Sequence, residues 1–235
     1  MNHHDTISRV TRSKEEAKAS YDSLSRWYDV LTGWGERKFR KIGLQKLAAR
    51  EGEKILEIGF GTGYCILALA RAVGNSGKIC GLDISEGMRN IAQSRIERAD
   101  LAKRVELKMG DAARLPFEAD SFDAVFMSFT LELFDTPEIP IVLQQCQKVL
   151  KSGGRIGVVA MSKEGKSNSL VRLYEWSHAR FPHYVDCRPI YVRQALDDAG
   201  FHILDTTKLS YWGIPVEVVV ARKGLQRISR NLDIV

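Results

Sequence analysis

The sequence predicts an α/β fold: a doubly wound, mostly parallel, seven-stranded sheet with an antiparallel C-terminal hairpin and an N-terminal helical cap. Three observations predict it. From residue 54 onward, short apolar runs alternate with segments of helical periodicity, which is the pattern of βαβ units with right-handed crossovers. The last two strand-like runs, about 201–209 and 214–222, have only a short turn between them. They must pair antiparallel, because parallel neighbours need a crossover of a dozen residues or more. Finally, Gly59, Gly61 and Gly63 form a glycine-rich bend where the first strand meets its helix.

In chain order, residues 1–14 are polar and read as a frayed start. Ala17, Tyr21, Leu24, Tyr28 and Leu31 then recur at spacings of four and three, a helical stripe that Gly33 and Gly35 are expected to end. A basic helix follows over about 36–50, carrying Arg37, Lys38, Arg40, Lys41, Lys46 and Arg50. Strands are expected at 54–58, 78–83, 105–109, 122–127 and 155–160. Between them lie helices marked by Ile66, Leu69, Ala70 and Val73, by Met88, Ile91, Ala92, Ile96 and Ala99, and by Val142, Leu143, Cys146, Val149 and Leu150. Ser85 can cap the second of these. Pro137 suits the first turn of the third, where a missing N–H costs nothing, and Gly153 with Gly154 is expected to stop it. A last helix, with Val192, Ala195, Leu196 and Ala199, closes at Gly200. Residues 1–50 are thus read as a helical cap within the same domain as 51–235, and the aromatic-rich stretch at about 161–189 as a lid insertion.

Composition narrows the function classes. The chain has 235 residues, 44% hydrophobic and 27% charged, so it can bury roughly 70% of its unfolded surface without disulfides or metal. The longest apolar stretches, such as 156–161 and 216–221, fall far short of the ~18–20 residues that span a bilayer. The start, MNHHDTISRV, has no apolar run behind its charges and does not read as a secretory signal. Cys65, Cys80, Cys146 and Cys187 stand far apart, with no CxxC pair or histidine cluster, so no metal site is expected. They read as reduced thiols of a cytoplasmic protein, three of them in the core. A net charge of +6 is compatible with an anionic substrate, a membrane surface or nucleic acid and selects none of them.

The motifs are more selective. A dinucleotide fingerprint is G-x-G-x-x-G, but Tyr64 occupies its third glycine position, which argues against NAD. Asp83, ending the second strand, can accept hydrogen bonds from both hydroxyls of a ribose; the alternative is a helix cap beside Ser85. Gly110, Asp111 and Ala112 follow the third strand, where Asp111 can accept from an adenine amino group or serve as a loop aspartate. Three such features at successive carboxyl ends of strands converge on the crevice where open α/β sheets bind ligands.

The segments LEIGFGTG, GDAARLPF, SFDAVFMSF and VLKSGGR, with an acid ending the second strand, resemble class I S-adenosylmethionine-dependent methyltransferases, whose fold is Rossmann-like. YDSLSRWYD, GDAARLPFEADSFD and MSFTLELF are most similar to the ubiquinone/menaquinone-biosynthesis C-methyltransferases. The resemblance covers about residues 21–161. It implies S-adenosyl-L-methionine as cofactor, with Glu57 and Gly59 near its amino group, Gly61, Thr62 and Gly63 at the glycine bend beside its methionine moiety, and Asp83 on the ribose. It places Gly110, Asp111 and Ala112 at the adenine, with Ile84 and Met88 lining that pocket, Met88 serving equally as helix core. Ser128 would offer a backbone carbonyl to the cofactor amino group, and Tyr28 would reach the cofactor carboxylate or pack in the core. Ser152 and Thr130 depart from the family, which often has proline and glycine there. The chain beyond Met161 does not match the quinone enzymes by eye.

Methyl transfer needs little from the protein besides alignment, which contributes about 7–11 kcal/mol at near-attack geometry. A phenolic ring carbon benefits from a base; a free amine or thiolate does not. Tyr28, His178, His183 and Tyr184 are the candidate catalytic groups, the histidines more readily read as surface or hydrogen-bonded structural residues. Glu132 could face the methyl group or be a solvated loop acid. Tyr21, Trp27, Trp34, Tyr174 and Trp176 are candidate aromatics over the strand ends. The acceptor is expected to be small or lipid-like: a quinone-type ring carbon, or an amine or phospholipid headgroup. The alternatives are an NAD-dependent oxidoreductase and a non-catalytic nucleotide-binding module. Arg37, Lys38, Arg40 and Lys41, and more loosely Arg172, Arg180 and Arg188, form a solvated face or a peripheral contact with anionic membrane. No nucleic-acid motif is present, and the oligomeric state stays open.

Overall fold

The computed structural model describes residues 9–10, 13–24, 33–164 and 188–224. Helix α1 (Lys14–Leu24) and α2 (Gly33–Leu47) precede β1 (Lys54–Ile58), α3 (Tyr64–Ala72), β2 (Lys78–Asp83), α4 (Glu86–Arg98), β3 (Val105–Met109) and β4 (Phe122–Ser128). Then come α5 (Glu138–Val149), β5 (Leu150–Met161), α6 (Val192–Asp198), β6 (Phe201–Tyr211) and β7 (Ile214–Lys223). The seven strands form one sheet in the order β3-β2-β1-β4-β5-β7-β6. β1 pairs parallel with β2 on one side and with β4 on the other, so the strand order reverses between β1 and β4. A crevice opens at their carboxyl ends for that reason. The antiparallel end is as expected: β7 runs against both β5 and β6.

Alternation along the strands builds two cores. Leu56, Ile58, Val125, Met127 and Val158 face α5 and α6. Ile55, Ile79, Ala124, Phe126 and Val159 face α2, α3 and α4. Covering both faces is why the inner strands read as nearly continuous apolar runs. Cys65, Cys80 and Cys146 are buried and free, and burial pushes the Cys146 thiol well above its ordinary value.

Three boundaries differ from the sequence reading. Gly33 and Gly35 do not end the first helix; they open the second. At Gly35 a side chain would collide with the Tyr211 ring, so this glycine lets α2 approach the β6–β7 hairpin closely. The basic helix ends at Leu47, not at residue 50. Gly153 and Gly154 lie inside β5 and do not stop α5, which ends at Val149. The β4–β5 register shifts between Phe122 and Ala124. Gly153 has φ 72°, and a Cβ on Gly154 would stand 3.1 Å from the Asp123 carbonyl, so the pair accommodates a bulge. The stripe residues Tyr28 and Leu31 and most of the expected lid fall outside the described residues.

Candidate functional site

The crevice is built first from the turn after β1. The Gly59 amide donates to the Leu82 carbonyl at 2.8 Å, and the Gly61 amide to Asp83 Oδ2 at 2.9 Å. Gly59 has φ 71°, and a Cβ there would press into Thr130, whose own Cβ would be 2.9 Å away. A Cβ on Gly61 would meet nothing within 4 Å: the backbone is bared to open cleft. Gly63 serves differently from the expectation. It does not line the cleft; its bare Cα lets α3 pack on α4, with a would-be Cβ 3.0 Å from that of Ala92. Arg95 of α4 holds the loop from behind, donating to the Thr62 carbonyl at 3.0 Å.

Asp83 closes β2. Its Oδ1 accepts the Ser85 amide at 3.0 Å. Burial raises its carboxyl above the ordinary value, against the pull of the backbone amides of Ser85, Gly61 and Ile84. The capping alternative falls to Ser85, whose Oγ accepts the Met88 amide at 3.1 Å. That leaves Asp83 turned to the cleft. A second carboxylate reinforces the cap: Asp22 of α1 accepts from Ser85 Oγ at 2.6 Å and from the Gly87 amide at 2.9 Å. Burial pushes Asp22 up, but these bonds outweigh it and its carboxyl sits below the usual range. A negative charge at a helix N-terminus is favourable, so Asp22 pins α1 to the start of α4.

Asp111 meets both of its readings at once. Oδ1 caps a short 3-10 turn (Ala112–Arg114) by accepting the Ala113 amide at 2.9 Å. Oδ2 takes the Lys14 ammonium at 2.6 Å, and Lys14 also pairs with Glu138 at 2.5 Å. α1 is thereby fastened at both ends of the cleft floor's polar rim. Met88 is 2% exposed and also lines the cleft, so it is core and wall together.

On the β4 side, Phe129 adopts φ 53°, a left-handed conformation costly for an aromatic residue. Its amide is held by the Val159 carbonyl at 2.7 Å and its ring packs edge-on against Phe39 of α2. The bend leaves the Ser128 carbonyl accepting from Thr130 Oγ1 at 3.1 Å, with a second lone pair still available.

Glu57 is 2% exposed, and burial raises its carboxyl well above the ordinary range, opposed by the charge of Arg40. Its Oε2 is buried without a hydrogen-bond partner among the described residues. Such an orphan needs a donor, and the amino group of a methionine moiety is one. Arg40 was read from sequence as part of a basic run forming a solvated face or a contact with anionic membrane; instead it turns inward, pairs with Glu36 one helical turn earlier and lines the cleft. Lys14, Asp22 and Arg40 were not legible as site residues; the one available signal was the Glu36–Arg40 spacing beside the apolar Phe39.

Of the predicted set, Glu57, Gly59, Gly61, Thr62, Asp83, Ile84, Met88, Gly110, Asp111, Ala112 and Ser128 line one cleft together, with Tyr21 and Tyr64. Tyr28, His178, His183 and Tyr184 lie outside the described residues. Glu132 does not face the cleft: it is fully buried and accepts the Met161 amide at 3.1 Å. Arg188 likewise is no surface charge; fully buried, it donates to Thr136 Oγ1 at 3.1 Å and to the Phe134 carbonyl. Among the described residues there is no cluster fit to hold a metal, and no helix long and apolar enough to cross a membrane.

The comparisons agree with this geometry. A methyltransferase domain family matches residues 55–154. The demethylmenaquinone methyltransferase of Lactobacillus johnsonii is 32% identical over 184 residues, covering 77% of this chain and 69% of that protein. The 2-phytyl-1,4-naphtoquinone methyltransferase of Synechococcus elongatus is 33% identical over 143 residues, covering 61% of this chain but only 59% of its own length. A SAM-dependent methyltransferase structure from Aquifex aeolicus shares the fold, with TM-score 0.65, 22% identity and 86% of this chain and 97% of that one covered. With the glycine bend, the strand-end aspartate and the orphaned glutamate gathered in one crevice, the chain belongs to the class I S-adenosylmethionine-dependent methyltransferases.

Proposed function

We propose that this protein methylates a ring carbon of a lipid-tailed hydroquinone of the naphthoquinone type. The observation that carries the reading is the match to a demethylmenaquinone methyltransferase over 184 residues, 77% of this chain. The apolar wall formed by Phe129, Leu133 and Phe134 suits a flat ring and an isoprenoid better than a charged headgroup.

When bound, S-adenosylmethionine supplies a methyl group on a sulfonium, an electrophile that needs no activation by the protein. The chain's residues bind and orient. In this reading Asp83 takes the ribose hydroxyls, Asp111 and Ala112 the adenine, and Glu57 the ammonium. Ser128 offers its carbonyl alongside, and Gly61 supplies the bare backbone that lets the ligand come close. A ring-carbon acceptor would give up its ring proton on methylation, so the chain would have to hold a base within reach of that carbon. Tyr28, His178, His183 and Tyr184 remain the candidates for that base, and the segment over 161–189 the candidate lid.

Labelled-methyl transfer to a panel of demethylmenaquinol, phytyl-naphthoquinol, phospholipids, amines and thiols tests the reading. Label on a quinol ring carbon is expected. Label only on an amine or phospholipid headgroup would move the acceptor class, and no transfer with intact cofactor binding would favour a non-catalytic binding module.

Two further results are expected at the methionine end. Arg40→Met should weaken S-adenosylmethionine binding about tenfold or more and leave 5′-methylthioadenosine binding unchanged, because only the former carries a carboxylate to pair with the guanidinium. Equal losses for both ligands would make Arg40 a merely structural residue. Glu57, with its carboxyl raised by burial, must give up a proton to meet an ammonium. Cofactor affinity is therefore expected to rise with pH above the ordinary carboxylate range, until the ligand's own amine deprotonates near pH 8. Calorimetry in buffers of different ionisation enthalpy should show proton release on binding, and Glu57→Gln should abolish it.

A further inference from the structure

The β6–β7 hairpin breaks two local rules at one residue. Tyr211 and Ile214 pair across a two-residue loop, and both loop residues have positive φ, 53° at Trp212 and 85° at Gly213. Such a turn favours Asn or Asp before Gly, since a bulky side chain in the left-handed region is strained. Trp212 accepts that strain yet is 88% exposed; among the described residues its ring meets only that of Tyr211, at 6.2 Å between centroids. A strained backbone carrying an unburied indole gains nothing for the fold, and unexplained departures of this kind concentrate at functional surfaces.

Its position says what it serves. β7 runs antiparallel to β5, with Val216 opposite Met161, so the hairpin tip lies beyond the carboxyl end of β5. Ile58, Asp83 and Ser128 line the cleft from the carboxyl ends of their own strands, so Trp212 stands on the rim of the same edge. Tyr211 packs beside Gly35 and on Phe39 of α2, and this part of α2 also carries the exposed Arg37, Lys38 and Lys41. Of the described acids near this part of the rim, Glu36 is paired with Arg40, Glu217 is 1% exposed, and Glu164 is paired with Lys208 and Arg193.

The geometry points to an anionic phospholipid bilayer as the partner of this rim, with Trp212 seated at the headgroup level and Arg37, Lys38 and Lys41 against the lipid phosphates. Indole rings prefer that interface, and basic residues near it are attracted by anionic lipid. The docking faces the cleft's edge towards the membrane, where an acceptor with an isoprenoid tail resides; that last step rests on the acceptor reading above.

Co-sedimentation of the full chain with phosphatidylglycerol-containing and pure phosphatidylcholine vesicles tests it. Binding is expected to the anionic vesicles, reduced by added salt, with a blue shift in tryptophan emission. Trp212→Ala should lower the partition coefficient roughly tenfold, and Lys38→Glu with Lys41→Glu at least as much. Trp212→Phe should retain much of the binding and lose most of the blue shift. Calorimetric cofactor affinity should be unchanged in these variants, confirming an intact fold. Equal binding to both vesicles, no binding, or indifference to Trp212 overturns the proposal. So does a Trp212-dependent change of oligomeric state without lipid binding, which would make the rim a protein interface. If vesicle binding fails while quinol methylation in detergent persists, only the docking surface falls; the reverse outcome removes the acceptor reading and leaves the docking surface.

Discussion

Asp83→Ala is expected to weaken S-adenosylmethionine binding by at least tenfold, and by roughly a hundredfold if both ribose bonds are lost, since charge-assisted hydrogen bonds are worth ~1.5–3 kcal/mol each. The structure raises the expectation above what a ligand contact alone would give. The same carboxylate takes the Gly61 amide at 2.9 Å and the Ser85 amide at 3.0 Å, so its removal also slackens the glycine bend. Asp83→Asn, which keeps one acceptor oxygen, should lose less. Calorimetry with the cofactor and its demethylated product gives the numbers, and a thermal melt shows whether the variant folds. Unchanged affinity in a folded Asp83→Ala protein would take Asp83 out of the site.

Much of this site was legible because its physics is local. A strand, a glycine bend and an acid at the next strand's end are written contiguously, and Glu57 through Thr62, Asp83 and Gly110 through Ala112 fall into one cleft as their spacing implies. What escaped depends on distant partners. Lys14 reads as one more polar residue of a frayed start, yet it reaches Asp111, 97 positions away. Asp22 was quoted within a motif, but its role as a second cap for α4 requires knowing that α1 lies there. Arg40 differs from Lys38 and Lys41 only by which side of α2 meets the sheet. The same limit governs the glycines. Gly35 and Gly153 looked like helix ends, whereas one admits a tyrosine ring and the other a bulge; a sequence shows that a side chain is missing, not what occupies the space.

The second large effect belongs to Gly59. Gly59→Val should abolish measurable cofactor binding and lower stability by at least ~2 kcal/mol. The left-handed backbone at φ 71° disfavours any side chain, and the new atoms press into Thr130. The two costs can be separated. Gly59→Ala combined with Thr130→Gly removes the collision and keeps the backbone strain of about 1–2 kcal/mol. The double variant should therefore be more stable than the sum of the single changes predicts, because contacting residues couple. Strict additivity in thermal or denaturant unfolding would contradict the contact. Thr130→Gly alone should be mild in stability, while freeing the Ser128 carbonyl from the Thr130 hydroxyl. Its cofactor affinity should stay level or rise slightly.

The account stands most directly on where the adenosine lies. A crystal structure of the protein with S-adenosylhomocysteine should show the ribose hydroxyls on Asp83, the adenine beside Asp111 and Ala112, and the amino group within reach of Glu57 and the Ser128 carbonyl. Adenosine bound away from the β1–β4 crevice, or reversed within it so that Asp83 meets the amino-acid end, would contradict it.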